Sequence, residues 1–215
     1  MPSSDTDALL FDLGRVVIDV DFNRAFSRWA EHARCDQKLI SERFRHDTAF
    51  ERHERGEIES KEFFANLRES LQIDISDAQL LEGWNSILVG EMPGVSELLA
   101  NAAEIPLYAF TNSNRAHEQC WSNQFSGILS NFKQVFVSST IGLRKPEAKA
   151  YDFVVREIGL SADRIVFFDD LLENIEGARA RGLQAVHVKS CADLANGLAV
   201  LSPRPDISLP MTNFR

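Results

Sequence analysis

The chain is poor in cysteine. Cys35, Cys120 and Cys191 are scattered, odd in number and form no C-x-x-C pair. They build neither a disulfide-stapled scaffold, nor a zinc ribbon, nor a dithiol redox site, and read as structural thiols in a reducing compartment. Long apolar runs are missing as well: no stretch approaches the ~20 residues that cross a bilayer. Met1-Pro2-Ser3-Ser4-Asp5 lacks the basic segment and apolar core of a secretory signal, so a cytoplasmic location is expected. Positive charge is in deficit, 23 Lys and Arg against 32 Asp and Glu, for a net charge of -9. With no basic run to offset it, that balance repels nucleic-acid backbones and anionic membrane surfaces. The expected partner is a small molecule, with no nucleic acid and no membrane; monomer and dimer both stay open. Neither G-x-x-x-x-G-K-[ST] nor G-x-G-x-x-G occurs, so nucleoside triphosphate and dinucleotide sites lack their usual loops. No G-x-S-x-G marks a serine hydrolase, and His32, His46, His53, His117 and His187 show no H-E-x-x-H spacing for zinc.

What is present is a core. Hydrophobic residues make up 44% of 215 positions, ample for one large domain or one domain with an insertion. Short apolar runs punctuate the chain: Ala8 to Phe11, Val16 to Val20, Leu107 to Phe110, Val135 to Val137, Ile165 to Phe168 and Ala185 to Val188. Helical periodicity separates the later ones, as in Ala148, Tyr151, Val154, Val155 and Ile158, with Gly159 and Gly182 placed as C-terminal caps. Strand alternating with helix predicts an α/β fold, a doubly wound parallel sheet with helices on both faces. From Asp21 to Trp84 the rhythm changes to four amphipathic sets: Phe22, Phe26, Trp29, Ala30 and Ala33; Leu39, Ile40 and Phe44; Phe63, Phe64, Leu67 and Leu71; and Leu80, Leu81 and Trp84. The last opens on Ser76-Asp77-Ala78-Gln79, a capping-box pattern. The expected organisation is a core of residues 1–20 and 86–215 carrying an α-helical insertion, 21–85. The tail after Leu201, with Pro203, Pro205 and Pro210, is expected to be extended.

Open parallel sheets bind ligands beyond the carboxyl ends of their strands. The polar residues ending these strands are Asp12, then Thr111-Asn112-Ser113-Asn114, then Lys145 near a helix start, and Asp169-Asp170. Taken singly each has a plain reading: an N-cap, a turn, a solvated charge. The adjacent acids are harder to dismiss, because like charges at one strand end repel. Converging carboxylates without His or Cys suit a hard divalent cation, and Mg²⁺ prefers oxygen ligands. Such an ion plus a lysine cradles a dianionic phosphoryl group, with Thr111 and the following N–H groups on its oxygens. A carboxylate in line with the phosphorus can then attack it.

The order and spacing of these pieces resemble the haloacid dehalogenase (HAD) superfamily along nearly the whole chain. Phe11-Asp12-Leu13-Gly14-Arg15-Val16-Val17 resembles its first motif, Thr111-Asn112 its second, Lys145 its third, and Phe168-Asp169-Asp170 with Asn174 its fourth. The resemblance implies a Rossmann-like core with a small helical cap, and a Mg²⁺-dependent phosphatase working on a small phosphate ester. It makes Asp12 the nucleophile. Asp170 and the Gly14 carbonyl are implied beside it as metal ligands, Thr111, Asn112 and Lys145 as phosphate-binding, and Asp169 and Asn174 as support. Residues 11–22, His53 to Ile58, Arg144 to Ala148 and Phe167 to Gly177 also resemble a bacterial branch that contains an α-D-glucose 1-phosphate phosphatase, which implies a sugar phosphate.

One position departs from the pattern. Most phosphatases of the superfamily carry an Asp two residues after the nucleophile, for proton transfer to the leaving oxygen; this chain has Gly14. Losing that help costs roughly 10²- to 10⁴-fold in rate. His53 or Glu54, from the insertion, is the expected substitute, each weighed against a plain surface charge. Six arginines of the insertion, Arg24, Arg28, Arg43, Arg45, Arg52 and Arg55, read as solvated faces with one or two free to meet an anionic substrate. Two alternatives stand beside the phosphatase. One is a metal-free dehalogenase of the same fold, against which Asp169-Asp170 argues. The other is a catalytically weak phosphate-binding module marked by Gly14.

Overall fold

The computed structural model describes residues 6–201, so the expectation for the tail lies outside the described residues. At its centre is strand β1 (Ala8–Phe11), all four residues fully buried. A short strand β2 (Ile18–Val20) follows, then five helices: α1 (Phe22–Ala33), α2 (Gln37–Arg43), α3 (Thr48–Glu54), α4 (Ser60–Leu71) and α5 (Asp77–Asn85). Strand β3 (Leu88–Glu91) and helix α6 (Val95–Asn101) return the chain to β4 (Leu107–Thr111). The remainder alternates: α7 (Arg115–Gln124), α8 (Ser126–Leu129), β5 (Gln134–Val137), α9 (Ser138–Ile141), α10 (Ala148–Ile158), β6 (Ile165–Asp169), α11 (Leu172–Ala180), β7 (Gln184–His187) and α12 (Cys191–Ala199).

Five strands form one parallel sheet in the order β5-β4-β1-β6-β7. Its strands are apolar on both sides because both are covered. Leu9, Phe11, Val166 and Phe168 face one cluster, shared with α6, α7, α8, α12 and the inserted helices. Ala8, Leu10, Ile165 and Phe167 face the other, under α10 and α11. The doubly wound α/β fold expected from the alternation is the one observed. Gly159, at φ 79°, ends α10 with its N–H on the Val155 carbonyl, as its position predicted.

Two local expectations are corrected. The run Val16 to Val20 does not join the main sheet; Ile18–Val20 pairs antiparallel with β3, a strand whose exposed Val89 and Glu91 hide it from a hydrophobicity reading. The insertion holds five helices, not four. The extra one, α3, is seven residues long and buries a single aliphatic or aromatic side chain, Phe50, too little for a visible period. The capping box is present: Ser76 Oγ accepts from the Gln79 N–H at 3.3 Å and Gln79 Oε1 accepts from the Ser76 N–H at 2.9 Å. Helices α1 and α5 touch closely. Trp29 Nε1 donates to the Leu80 carbonyl at 3.0 Å, and a Cβ on Gly83 would sit 2.3 Å from that nitrogen. Trp29 and Trp84 stack at 6.2 Å, with Phe44 and Phe63 against them, so the insertion has an aromatic core continuous with one face of the sheet.

Candidate active site

The ends of β1, β4 and β6 bring the strand-terminal residues together. The Asp12 N–H continues the ladder by donating to the Phe168 carbonyl at 2.8 Å, which fixes its side chain above the sheet edge. Lys145 reaches the same point from the segment before α10 and is 1% exposed. Its Nζ donates to Asp12 Oδ1 at 2.8 Å, Asp169 Oδ2 at 2.7 Å and the Phe110 carbonyl at 2.7 Å, so all three protons are used. Burial works to lower the Lys145 pKa, but the Asp12 and Asp169 carboxylates outweigh it and hold the ammonium charged.

Asp12 has the opposite balance. Burial pushes its carboxyl up to about 7; Lys145 pulls against that while Asp169 and Asp170 add to it. One oxygen is held by Lys145, and the other makes no hydrogen bond with the described residues. Asp169 is fully buried and saturated. Oδ1 accepts from the Leu171 N–H at 2.8 Å and from Asn174 Nδ2 at 2.9 Å, and Oδ2 accepts from Asn174 and Lys145. Asp170 is half-buried on the cavity wall, its carboxyl raised by burial and by Asp169.

Asp12, Asp169 and Asp170 can each put a carboxylate oxygen within 4.8 Å of the others. Asn174 Oδ1 lies buried beside them with no hydrogen-bond partner. Three carboxylates and an orphaned carbonyl oxygen form a hard, oxygen-only donor set, which fits Mg²⁺. With Asp169 committed to Lys145, Asn174 and Leu171, Asp12 and Asp170 are the carboxylates of this set left free to meet an ion.

Above this cluster opens a cavity of about 290 Å³. Asp12, Gly14, Thr111, Lys145 and Asp170 form its floor, and Phe22, Phe50 and Trp84 of the inserted helices its roof. Thr111 ends β4 and is 5% exposed on that floor. The Asn112 side chain is committed to the lysine: its Oδ1 accepts from the Lys145 N–H and its Nδ2 donates to the Lys145 carbonyl, both at 2.9 Å, which leaves the Asn112 N–H as its group for a phosphate. The Ser113 N–H is likewise engaged, with Ser138 Oγ at 2.9 Å.

The two substitute proton donors separate. His53 does not reach the cavity: it is 3% exposed, stacked on Phe63 at 4.3 Å, bonded to Ser60 Oγ at 3.2 Å, and lowered by burial to about 4. Glu54 does line it. Oε2 accepts from Arg144 Nε at 2.9 Å, and burial raises its carboxyl despite that arginine. None of the insertion's arginines lines the wall; the cations that do are Arg15, Arg144 and Lys145.

A second buried network was not foreseen. His117 Nδ1 accepts from Asn114 Nδ2 at 3.0 Å and Nε2 donates to the Trp84 carbonyl at 2.9 Å, tying α7 to α5 across the cavity. Burial holds this imidazole neutral, at about 4. The spacing Asn114-x-x-His117, an N-cap and its N3 residue, was the signal available.

A family model for haloacid dehalogenase-like hydrolases matches residues 6–182. Among solved structures, a HAD-family enzyme of Bacteroides thetaiotaomicron in complex with magnesium and inorganic phosphate superposes with a TM-score of 0.73 at 26% identity, covering 86% of this chain and 96% of that one. The D-ribitol-5-phosphate phosphatase of Bacteroides thetaiotaomicron is 19% identical over 202 residues, 90% of this chain and 97% of that protein. A sesquiterpene phosphatase of Aspergillus oryzae is 39% identical over 57 residues, so this chain spans only 29% of that relative's length.

Proposed function

The chain belongs to the haloacid dehalogenase-like hydrolase family, and from that premise we propose that it is a Mg²⁺-dependent phosphatase of a small phosphate ester, with a sugar phosphate as the substrate class. The observation that carries this reading is the Asp12–Lys145–Asp169 contact at the sheet edge, under one cavity with Asp170 and Thr111. Asp12 attacks phosphorus, the bond from phosphorus to the ester oxygen breaks, and an aspartyl phosphate forms. Glu54 gives its proton to the leaving oxygen. Water then attacks the acyl phosphate and returns a proton to Glu54, regenerating Asp12. Lys145 balances charge on the phosphoryl oxygens while Asn112 holds its backbone, and Thr111 donates its hydroxyl to them. Asp12, Asp170 and the Gly14 carbonyl would hold Mg²⁺, which would favour the ionised form of Asp12 and withdraw charge from the phosphoryl group.

Support for the small ester comes from size. About 290 Å³ lies at the lower end of ligand pockets, near ~300 Å³, which suits a monosaccharide or polyol phosphate better than a long chain. Phe22 and Trp84 offer flat apolar walls for a sugar face. Support for the metal comes from the acidic triad, which a carbon-directed dehalogenase has no use for, and from the magnesium in the Bacteroides neighbour. A phosphate-release screen over sugar phosphates tests the proposal. Release with Mg²⁺, abolished by EDTA and by Asp12→Asn, is expected; release that survives either one contradicts it. The catalytically weak module predicts no release at all.

A further inference from the structure

We propose that Arg15 is a specificity-determining residue that receives a second anionic group, a carboxylate or another phosphoryl, on the alcohol portion of the ester. The inference rests on the reading above, that the cavity takes phosphate esters.

Three observations carry it. Arg15 stands at φ 58°, in the left-handed region that a side chain this bulky rarely adopts. Arg34 and Gln72 share that geometry, but both are helix C-caps, where it satisfies the last carbonyls. Arg15 lies instead in the turn three residues beyond Asp12, its N–H on the Ile18 carbonyl at 2.7 Å. Strain kept beside a reactive carboxylate points to a use for the side chain.

The second observation is charge. Of the three cations on the cavity wall, Lys145 has all its protons bonded, and Arg144 is paired with Glu54 at 2.9 Å and Glu51 at 3.4 Å. The Arg15 guanidinium makes no ion pair or hydrogen bond with the described residues, although Glu173 shares the same wall.

The third is position. Arg15 lines the cavity three residues past Asp12, in a lining shared with Phe22 and His46 of the insertion. A guanidinium in that lining is within reach of the rest of a substrate whose phosphoryl group sits at Asp12.

The test compares three esters in Mg²⁺: glucose phosphorylated on its terminal hydroxyl, the corresponding gluconate ester, and a glucose bisphosphate. The wild type is expected to show a KM about tenfold lower for an anionic ester, the size of one charge-assisted hydrogen bond. Arg15→Gln should erase that difference by raising KM for the anionic ester by about tenfold more than for the neutral one. Arg15→Lys should retain part of it. Preference for the gluconate ester identifies a carboxylate, preference for the bisphosphate a second phosphoryl. Equal effects of Arg15→Gln on all three esters, or no wild-type preference, overturn the proposal. The same comparison by binding, read from Trp84 and Trp121 fluorescence in Asp12→Asn, separates the two readings. A binding preference without any wild-type phosphate release leaves Arg15 standing and removes the phosphatase; release without preference does the reverse.

Discussion

Replacing Glu54 with Gln removes a proton donor while keeping its shape. The amide oxygen can still accept from Arg144 Nε, which Glu54 Oε2 holds at 2.9 Å, and Arg144 keeps its second partner, Glu51. Because Arg144 stays charged, its bond to the amide oxygen remains charge-assisted, and the exchange costs the fold about 1 kcal/mol. The catalytic loss is of another kind. Gly14 offers no side chain, so without Glu54 a sugar or alkyl oxygen must leave unprotonated, at a cost of roughly 10²- to 10⁴-fold in kcat. The first step on an aryl phosphate, whose phenolate leaves readily, should keep its wild-type rate in Glu54→Gln, while the water step that follows is slowed for both esters. Pre-steady-state release of phenolate and of sugar measures the contrast. The pH profile adds a second reading: burial raises the Glu54 pKa, so its acid form is present at low pH and is lost as pH rises through that value. Sugar-ester turnover in the wild type should fall along that limb, and the limb should vanish in the variant. An equal loss in the first step on both esters, or none on either, would refute the assignment.

Lys145→Met leaves two buried carboxylates, Asp12 and Asp169, without their shared cation, and breaking such a group costs about 3–5 kcal/mol; urea melts should show a loss of that order together with lost activity. Gly83→Ala drives a Cβ to within 2.3 Å of Trp29 Nε1, so α1 and α5 must part, at about 1–3 kcal/mol; unfolding followed by tryptophan fluorescence checks it. His117 has a native pKa of about 4 against 6.5 unfolded, so the unfolded chain binds the proton first. Its contribution is whole above 6.5 and drains away as pH falls towards 4, at up to about 1.4 kcal/mol per pH unit. Stability curves of wild type and His117→Phe should therefore differ in slope across that window and run parallel above it.

Much of the site was legible because a parallel sheet places it at strand ends. Reading which polar residue follows each apolar run was enough to group Asp12, Thr111, Lys145, Asp169 and Asp170. What stayed hidden are pairings set by tertiary approach. Nothing local shows the Asn112 side-chain amide closing on the Lys145 backbone 33 residues away. His53 and Glu54 are neighbours in sequence, yet a helix turns them to different sides, one against Phe63 and one into the cavity. Arg15 was read only as part of a motif, since a left-handed φ has no composition signal when the residue is not glycine. Helix α3 and strand β3 were too short and too mixed in polarity to stand out.

The central claim is that the Asp12 carboxylate takes the phosphoryl group. Acid-quenching the enzyme during turnover with Mg²⁺ and a sugar phosphate, then weighing the peptide that contains Asp12, tests it directly. A peptide heavier by one phosphoryl group, labile to hydroxylamine and absent from Asp12→Asn, is the predicted result. Steady phosphate release from Asp12→Asn, or a phosphoryl group found on another residue, would contradict it.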